Sequence, residues 1–285
     1  MTGRIVGSIA GFYHVKVDQT TYLSKPRGIF RKKGLSPAVG DLVEVSVDDN
    51  EEGTITEVYE RKNELVRPFV SNVDGAILVF SLSQPEPDLL LLDRLILNVR
   101  SKGIEPIILW SKKDLVSEVH IKELLDIYQG VAENYEISAL DPDEVSAFFK
   151  GLDEGVYVLA GQSGVGKSTI FNVLSDVEQK TGDISKKLKR GRHTTRNSVL
   201  LEVIPGRYLV DTPGFQNLQL EEDIQCRDIQ HYYPEFIDLT CKYYNCIHRS
   251  EPHCGVKAQV GEAVDPGRYE RYLSLYSECE ERRSY

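Results

Sequence analysis

The spacing of hydrophobic and polar positions divides this chain into regions of different period. Over residues 1–66 apolar and polar residues alternate in short runs: Ile5–Ile9, Phe12–Val17, Thr21–Leu23, Asp41–Val47 and Gly53–Tyr59, separated by turn-forming residues. A period of two marks strands with one buried face. Strands this short and this many predict a small β-barrel of the OB type, a fold that often binds RNA. Beyond Arg67-Pro68 the pattern changes. Strands are expected at 73–81, 104–110, 133–138, 155–160, 198–204 and 207–211, the last two as a hairpin turning at Pro205-Gly206. Between them Leu89, Leu92, Leu95, Ile96 and Val99 recur at helical spacing over Asp88–Ser101, and Ile170, Phe171, Val173, Leu174 and Val177 do so after Lys167. Strands alternating with helices predict a largely parallel sheet with helices on both faces and a ligand at the carboxyl ends of the strands. A final amphipathic helix is expected near Arg268–Arg283, with Tyr269, Tyr272, Leu273 and Tyr276 on one face. The expected domains are 1–68, 69–218 and 219–285.

The strand at 155–160 runs into Gly161-Gln162-Ser163-Gly164-Val165-Gly166-Lys167-Ser168-Thr169, which fits G-x-x-x-x-G-K-[ST]. Glycines let backbone N–H groups close around phosphate oxygens, and the following helix adds the positive end of its dipole. Lys167 is expected to reach the outer phosphates, and the Ser168 hydroxyl to bind Mg2+. The hairpin ends in Asp211-Thr212-Pro213-Gly214, where Asp211 suits a water-mediated Mg2+ contact and Gly214 a backbone N–H to the γ-phosphate. Upstream, the strand at 104–110 ends in Ser111-Lys112-Lys113-Asp114, similar to the N-K-x-D guanine motif. A carboxylate at Asp114 can accept both N1–H and N2–H2 of guanine, a donor pair that adenine lacks. Ser138-Ala139, at the next strand end, is similar to the S-A motif that supports the base. In ordinary GTPases the phosphate loop precedes the base motifs; here the order is reversed.

Cys241, Cys246, His248 and Cys254 offer three thiolates and an imidazole within a short span, a donor set for a closed tetrahedral Zn2+ site of the structural kind, one per chain. His253 is an alternative to His248. Cys226 and Cys279 remain and are expected to be simple, partly buried residues. Five cysteines, three of them clustered, suggest a reduced compartment rather than a disulfide framework. The chain has 285 residues with a formal net charge of -10, which argues against indiscriminate nucleic-acid binding. Basic segments remain at Lys25–Lys33, where Phe30 either stacks on a base or tucks into the barrel, and at Ser185–Arg196. No apolar run approaches the ~20 residues that span a bilayer, and no signal-peptide pattern opens the sequence. A cytoplasmic, monomeric protein without membrane contact is expected.

The order of these motifs, with Arg190-Gly191-Arg192-His193-Thr194-Thr195 between phosphate loop and D-T-P-G, resembles the circularly permuted GTPases of small ribosomal subunit biogenesis, the RsgA group. The resemblance covers nearly the whole chain. It implies GTP and GDP as ligands, the small subunit and its rRNA as partners, and hydrolysis that releases the protein from a maturing subunit. The basic loop is expected to place Thr194 or, as we favour, Thr195 on Mg2+. The chain departs from the pattern at Ser111, where Asn or Thr is usual, and at Arg196, where the family usually has a third threonine. Phe215 stands where many GTPases orient water with glutamine, so His193 becomes the catalytic candidate, with a contact to RNA or phosphate as its other reading. Two further readings are a nucleotide enzyme unrelated to ribosomes and a non-hydrolysing RNA-binding adaptor. The first leaves barrel and cysteine cluster unexplained.

Overall fold

A computed structural model describes residues 1–28, 30, 34, 36–66, 69–181, 199–211 and 219–283. These form two compact units, each assembled from separate stretches of sequence: 1–76, 140–159 and 168–215 in the first, and 77–139, 160–167 and 216–285 in the second.

The first unit begins with a closed five-strand barrel. β1 (Thr2–Ile9) pairs antiparallel with β2 (Phe12–Val17), and β2 with β3 (Thr20–Pro26). β3 runs parallel to β5 (Gly53–Val58), β5 pairs with β4 (Leu42–Val47), and β4 returns to β1. The two-residue period places Ile5, Val15, Val43, Val45 and Ile55 inside, all almost inaccessible to solvent. Phe30 is also buried at 8% exposure, so its ring belongs to the core and is not presented for base stacking. Arg31, Lys32 and Lys33 lie outside the described residues. A short antiparallel hairpin follows, β6 (Glu64–Val66) and β7 (Phe69–Ser71). The expected turn at Pro205-Gly206 joins β12 (Val199–Ile204) to β13 (Arg207–Asp211) in antiparallel register. β13 runs parallel to β11 (Gly155–Gly161), and β12 meets β1 at Gly7 and Val199.

In the second unit β8 (Gly75–Ser81), β9 (Glu105–Ser111) and β10 (Glu133–Ile137) lie in the order β10-β9-β8, with β9 and β10 parallel. Every residue of β8 is buried, the continuous apolar run expected of a strand covered on both faces. Helix α1 (Leu89–Ser101) starts at Asp88, whose carboxylate accepts from the Leu91 N–H. Its helical spacing buries Leu92, Leu95, Ile96 and Val99, and the same face carries Asp93 and Asn98 into the interior. α2 (Glu118–Ile127) follows the guanine-like motif. Helix α3 (Pro142–Gly151) belongs to the first unit, and α4 (Lys167–Thr181) begins at the phosphate loop.

The C-terminal stretch is helical: 3-10 turns at Cys226–Tyr232 and Pro234–Phe236, a short α5 (Gly255–Ala258), and the long α6 (Pro266–Arg283). Its core joins Ile229, Tyr233, Phe236, Val256, Leu275 and Tyr276 around Tyr272, which α6 buries completely. The aromatic face expected of this helix is therefore core. One expectation fails here. Cys226 and Cys279 are not separate residues but a disulfide, with Cα atoms 5.6 Å apart and 53 residues of chain between them. The first 3-10 turn packs directly on α6, and that packing brings the two buried sulfurs together. No helix among the described residues is long and apolar enough to cross a membrane.

Candidate nucleotide site and metal centre

The phosphate loop leaves β11 at Gly161 and enters α4 at Lys167. Gly161 has φ +127°, and a Cβ there would stand 2.1 Å from the Val79 carbonyl oxygen, so backbone conformation and contact both demand glycine. Gly164 and Gly166 also take positive φ, at +77° and +100°. Val165 is fully buried and anchors the loop, while Ser163, Gly164 and Ser168 are exposed and Thr169 is half-buried. The Lys167 ammonium donates to the carbonyls of Gly161, at 2.8 Å, and Gln162. Partial burial lowers its pKa from the ordinary lysine value.

The guanine-like motif is fastened to the same loop. Ser111 is fully buried at the end of β9, and its Oγ lies 2.6 Å from the Val165 carbonyl oxygen and 3.2 Å from that of Phe80. The hydroxyl thus does main-chain tethering. Lys112 adopts the left-handed conformation, with φ +63°, and sends its ammonium to the carbonyls of Gly164, at 3.0 Å, and Gln84. Lys113 and Asp114 follow in a 3-10 turn, and Asp114 is exposed. Ser138 follows the end of β10, and Ala139 packs so closely that a Cβ on Gly166 would lie 3.3 Å from its methyl. Three segments read separately from the sequence, at 111–114, 138–139 and 161–167, therefore converge within one unit. Thr194, Thr195, His193, Gly214 and Phe215 lie outside the described residues, as does the side chain of Asp211, the last residue of β13.

The four metal-ligand candidates also meet. Sγ of Cys241, Cys246 and Cys254 and a ring nitrogen of His248 all lie within 4.8 Å of one another. His248 Nδ1 is 3.5 Å from Cys241 Sγ, 3.5 Å from Cys246 Sγ and 3.3 Å from Cys254 Sγ, and Cys241 and Cys254 sulfurs are 3.8 Å apart. A tetrahedral ion with metal–sulfur bonds of about 2.3 Å and metal–nitrogen bonds of about 2.0 Å sets sulfur–sulfur edges near 3.8 Å and sulfur–nitrogen edges near 3.5 Å. The quartet fits such an ion. His248 reaches it from a left-handed backbone, φ +59°. Glu251 holds that knuckle by accepting from the N–H groups of Ile247 and Arg249, and the Tyr269 hydroxyl donates to the His248 carbonyl at 2.7 Å. Backbone N–H groups of Gly255 and Lys257 point at the sulfurs of Cys241 and Cys254, which favours thiolates. His253 is not in the cluster; its carbonyl pairs with the N–H of Lys242.

Sequence reasoning named Gln162 as part of the phosphate loop but missed its outward ties, and it missed the polar cluster around Asp93. Gln162 donates through Nε2 to the Glu86 carbonyl at 3.0 Å and accepts from the Asp88 N–H at 3.3 Å. Asp93 is buried against Arg268, Arg271 and the Tyr128 hydroxyl. The available signal was Asp93 and Asn98 standing inside the apolar stripe of α1.

The family described as RsgA GTPase matches residues 58–221, and the RsgA N-terminal domain matches residues 2–55. The chain is 43% identical to the small ribosomal subunit biogenesis GTPase RsgA of Staphylococcus saprophyticus over 99% of its length and 98% of that protein. It is 41% identical to the protein of the same name from Geobacillus sp., again over 99% and 98%. The crystal structure of YjeQ from Thermotoga maritima superposes with a TM-score of 0.85 at 33% identity, covering 98% of both chains. YloQ, described as a circularly permuted GTPase, gives 0.83 at 33% identity, covering 99% of this chain and 95% of its own. With barrel, reversed motif order and helical C-terminal stretch all present, the chain belongs to the RsgA GTPase family.

Proposed function

We propose that this protein is a cytoplasmic, monomeric GTPase that binds the small ribosomal subunit late in its maturation, hydrolyses GTP to GDP and phosphate when the subunit stimulates it, and leaves as a result. The observation that supports this most is the fastening of Ser111, Lys112 and Ala139 onto the phosphate loop, with Asp114 exposed two residues after Lys112. The names of the relatives supply the subunit. We assign residues 1–68 to an rRNA-binding barrel, 69–218 to the GTPase domain and 219–285 to a zinc-binding domain.

In this reading the Asp114 carboxylate pairs with guanine, and Ser138-Ala139 supports the base. The loop Gly161–Thr169 cradles the phosphates, and Lys167 moves its ammonium from its own loop carbonyls to the β- and γ-phosphates. The Ser168 hydroxyl and Thr195, with Asp211 acting through water, would hold Mg2+, which when bound neutralises charge on those phosphates. Gly214 donates its N–H to the γ-phosphate. His193 orients the attacking water, a task that Phe215 cannot perform; the water oxygen bonds to the γ-phosphorus as the bond to the GDP oxygen breaks. Cys241, Cys246, His248 and Cys254 would hold one Zn2+ as a folding element with no open position.

Steady-state GTP hydrolysis with and without purified small subunits tests the proposal. Strong stimulation by small subunits and little by unrelated RNA is the expected result. Turnover that ignores the subunit would remove the ribosome from the mechanism, and hydrolysis of ATP as fast as GTP would remove the guanine assignment.

A further inference from the structure

Helix α1 is tied by side chains to the nucleotide loops at one end and to the C-terminal stretch along the rest of its length. Before its first turn, the segment Gln84–Asp88 is gripped from two sides. Gln162 of the phosphate loop bonds both Glu86 and Asp88, and Lys112 of the guanine motif bonds Gln84. One turn in, the Asp93 carboxylate receives Arg268 Nη1 and Arg271 Nε of α6, each at 2.5 Å, and the Tyr128 hydroxyl at 2.9 Å. Its neighbour Arg94 pairs with Glu278 at 2.6 Å. Further along, the Asn98 amide donates to the Gln219 carbonyl at 2.9 Å and accepts from the Glu221 N–H at 3.1 Å. Arg100 donates to the Tyr232 carbonyl at 2.9 Å, and Lys102 pairs with Asp223 at 2.6 Å.

These ties differ from apolar packing in what they transmit. An apolar face can slide by a fraction of a turn at small cost. A carboxylate with no exposed side-chain surface, whose oxygens are each claimed by a different guanidinium, cannot. Breaking one such bond leaves a buried charge uncompensated, so the arrangement has one favoured setting. A helix is stiff over this length, so a shift of the segment 84–88 is carried to every tie downstream.

We propose that α1 is a coupling strut, through which guanine-nucleotide binding at the phosphate loop and docking of the C-terminal stretch on α1 strengthen each other. Gln162 and Asp93 are its positioning residues. The proposal rests on the nucleotide-site reading above. Linkage is reciprocal: if docking raises nucleotide affinity, nucleotide tightens docking by the same factor. A partner that grips or loosens α6 is then felt at the phosphate loop.

The test uses the full-length protein. Backbone hydrogen exchange across residues 266–283 is measured with and without saturating GDP, and GDP affinity is measured by titration with a fluorescent GDP analogue. Wild type should show slower exchange in α6 when GDP is bound, by about fivefold or more. Gln162→Ala, at saturating GDP, should lose that response. Asp93→Asn should weaken GDP binding by a similar factor although it lies away from the loop. The double variant should bind GDP no worse than the weaker single variant, because both cut one connection. If Asp93→Asn does not fold, Asn98→Ala, which severs only the tie to Gln219 and Glu221, takes its place with a smaller expected loss. Wild type that binds GDP with no change in α6 exchange, or losses that simply add in the double variant, would overturn the strut while leaving the nucleotide site intact. Wild type that binds no guanine nucleotide would overturn both.

Discussion

The nucleotide loops and the cysteine–histidine cluster lie in the same unit but are built by different means. In the loops, side chains serve the main chain: Ser111, Lys112 and Lys167 all end on carbonyl oxygens of the phosphate loop, and three glycines supply its turns. In the cluster the main chain serves side chains: N–H groups of Gly255 and Lys257 support sulfurs, and a left-handed backbone swings His248 inward. A site made of backbone keeps its shape when one contact is lost and fails only at the charge it lacks. A site made of four ligand atoms fails when any one is exchanged.

The sharpest break in that comparison is Lys167→Ala. It should cut GTP turnover by on the order of a thousandfold, the scale of losing one buried electrostatic contact to a transition state. Metal content and the circular-dichroism spectrum should stay as in wild type; loss of metal in this variant would show that the two sites are not separately built. Cys246→Ser is the converse. Metal analysis should fall from about one ion per chain to near none, because three remaining ligands cannot close a tetrahedral site. A retained stoichiometric ion would contradict the quartet. Asp114→Asn comes next. It should weaken GTP by roughly tenfold to a hundredfold, the range for charge-assisted hydrogen bonds, and improve xanthosine triphosphate. Equal binding of both nucleotides by wild type in competition would refute the base assignment. The smallest effect is expected from Cys279→Ser, which opens the ring of chain closed by Cys226. Calorimetry should show the thermal midpoint lowered by a few degrees, with turnover and metal content retained. An unshifted midpoint would mean that the cross-link contributes nothing to stability.

How much of this was legible in the sequence depended on how local each signal is. The phosphate loop, the hairpin at Pro205-Gly206 and the cysteine–histidine quartet are written in fixed short spacings. Helix α1 was legible from its apolar period, and the barrel from alternation in five runs. Long-range pairing left no such trace. Asp93 reads as an interruption of an apolar stripe until Arg268 and Arg271 are seen beside it. Cys226 and Cys279 are separated by 53 positions, with no motif around either, and only the packing of a 3-10 turn on α6 pairs them. Phe30 sits in a basic segment whose composition suggests a surface, yet its ring is buried. For Asp93 and the cysteine pair the partner lies far away in sequence.

The position of Asp93 also bears on the order in which the protein is made. Its two arginine partners stand 175 and 178 residues further along the chain. During synthesis from the amino end, the barrel can close as soon as Val58 has emerged, because all its strands precede that point. Helix α1 has no such freedom. Its Asp93 carboxylate must stay hydrated while the guanine motif, the phosphate loop and the hairpin are all completed, and it finds its counter-ions only when α6 leaves the ribosome. A chain truncated before Arg268 would therefore carry every nucleotide motif and still leave the Asp93 carboxylate without either guanidinium on the helix that begins beside them.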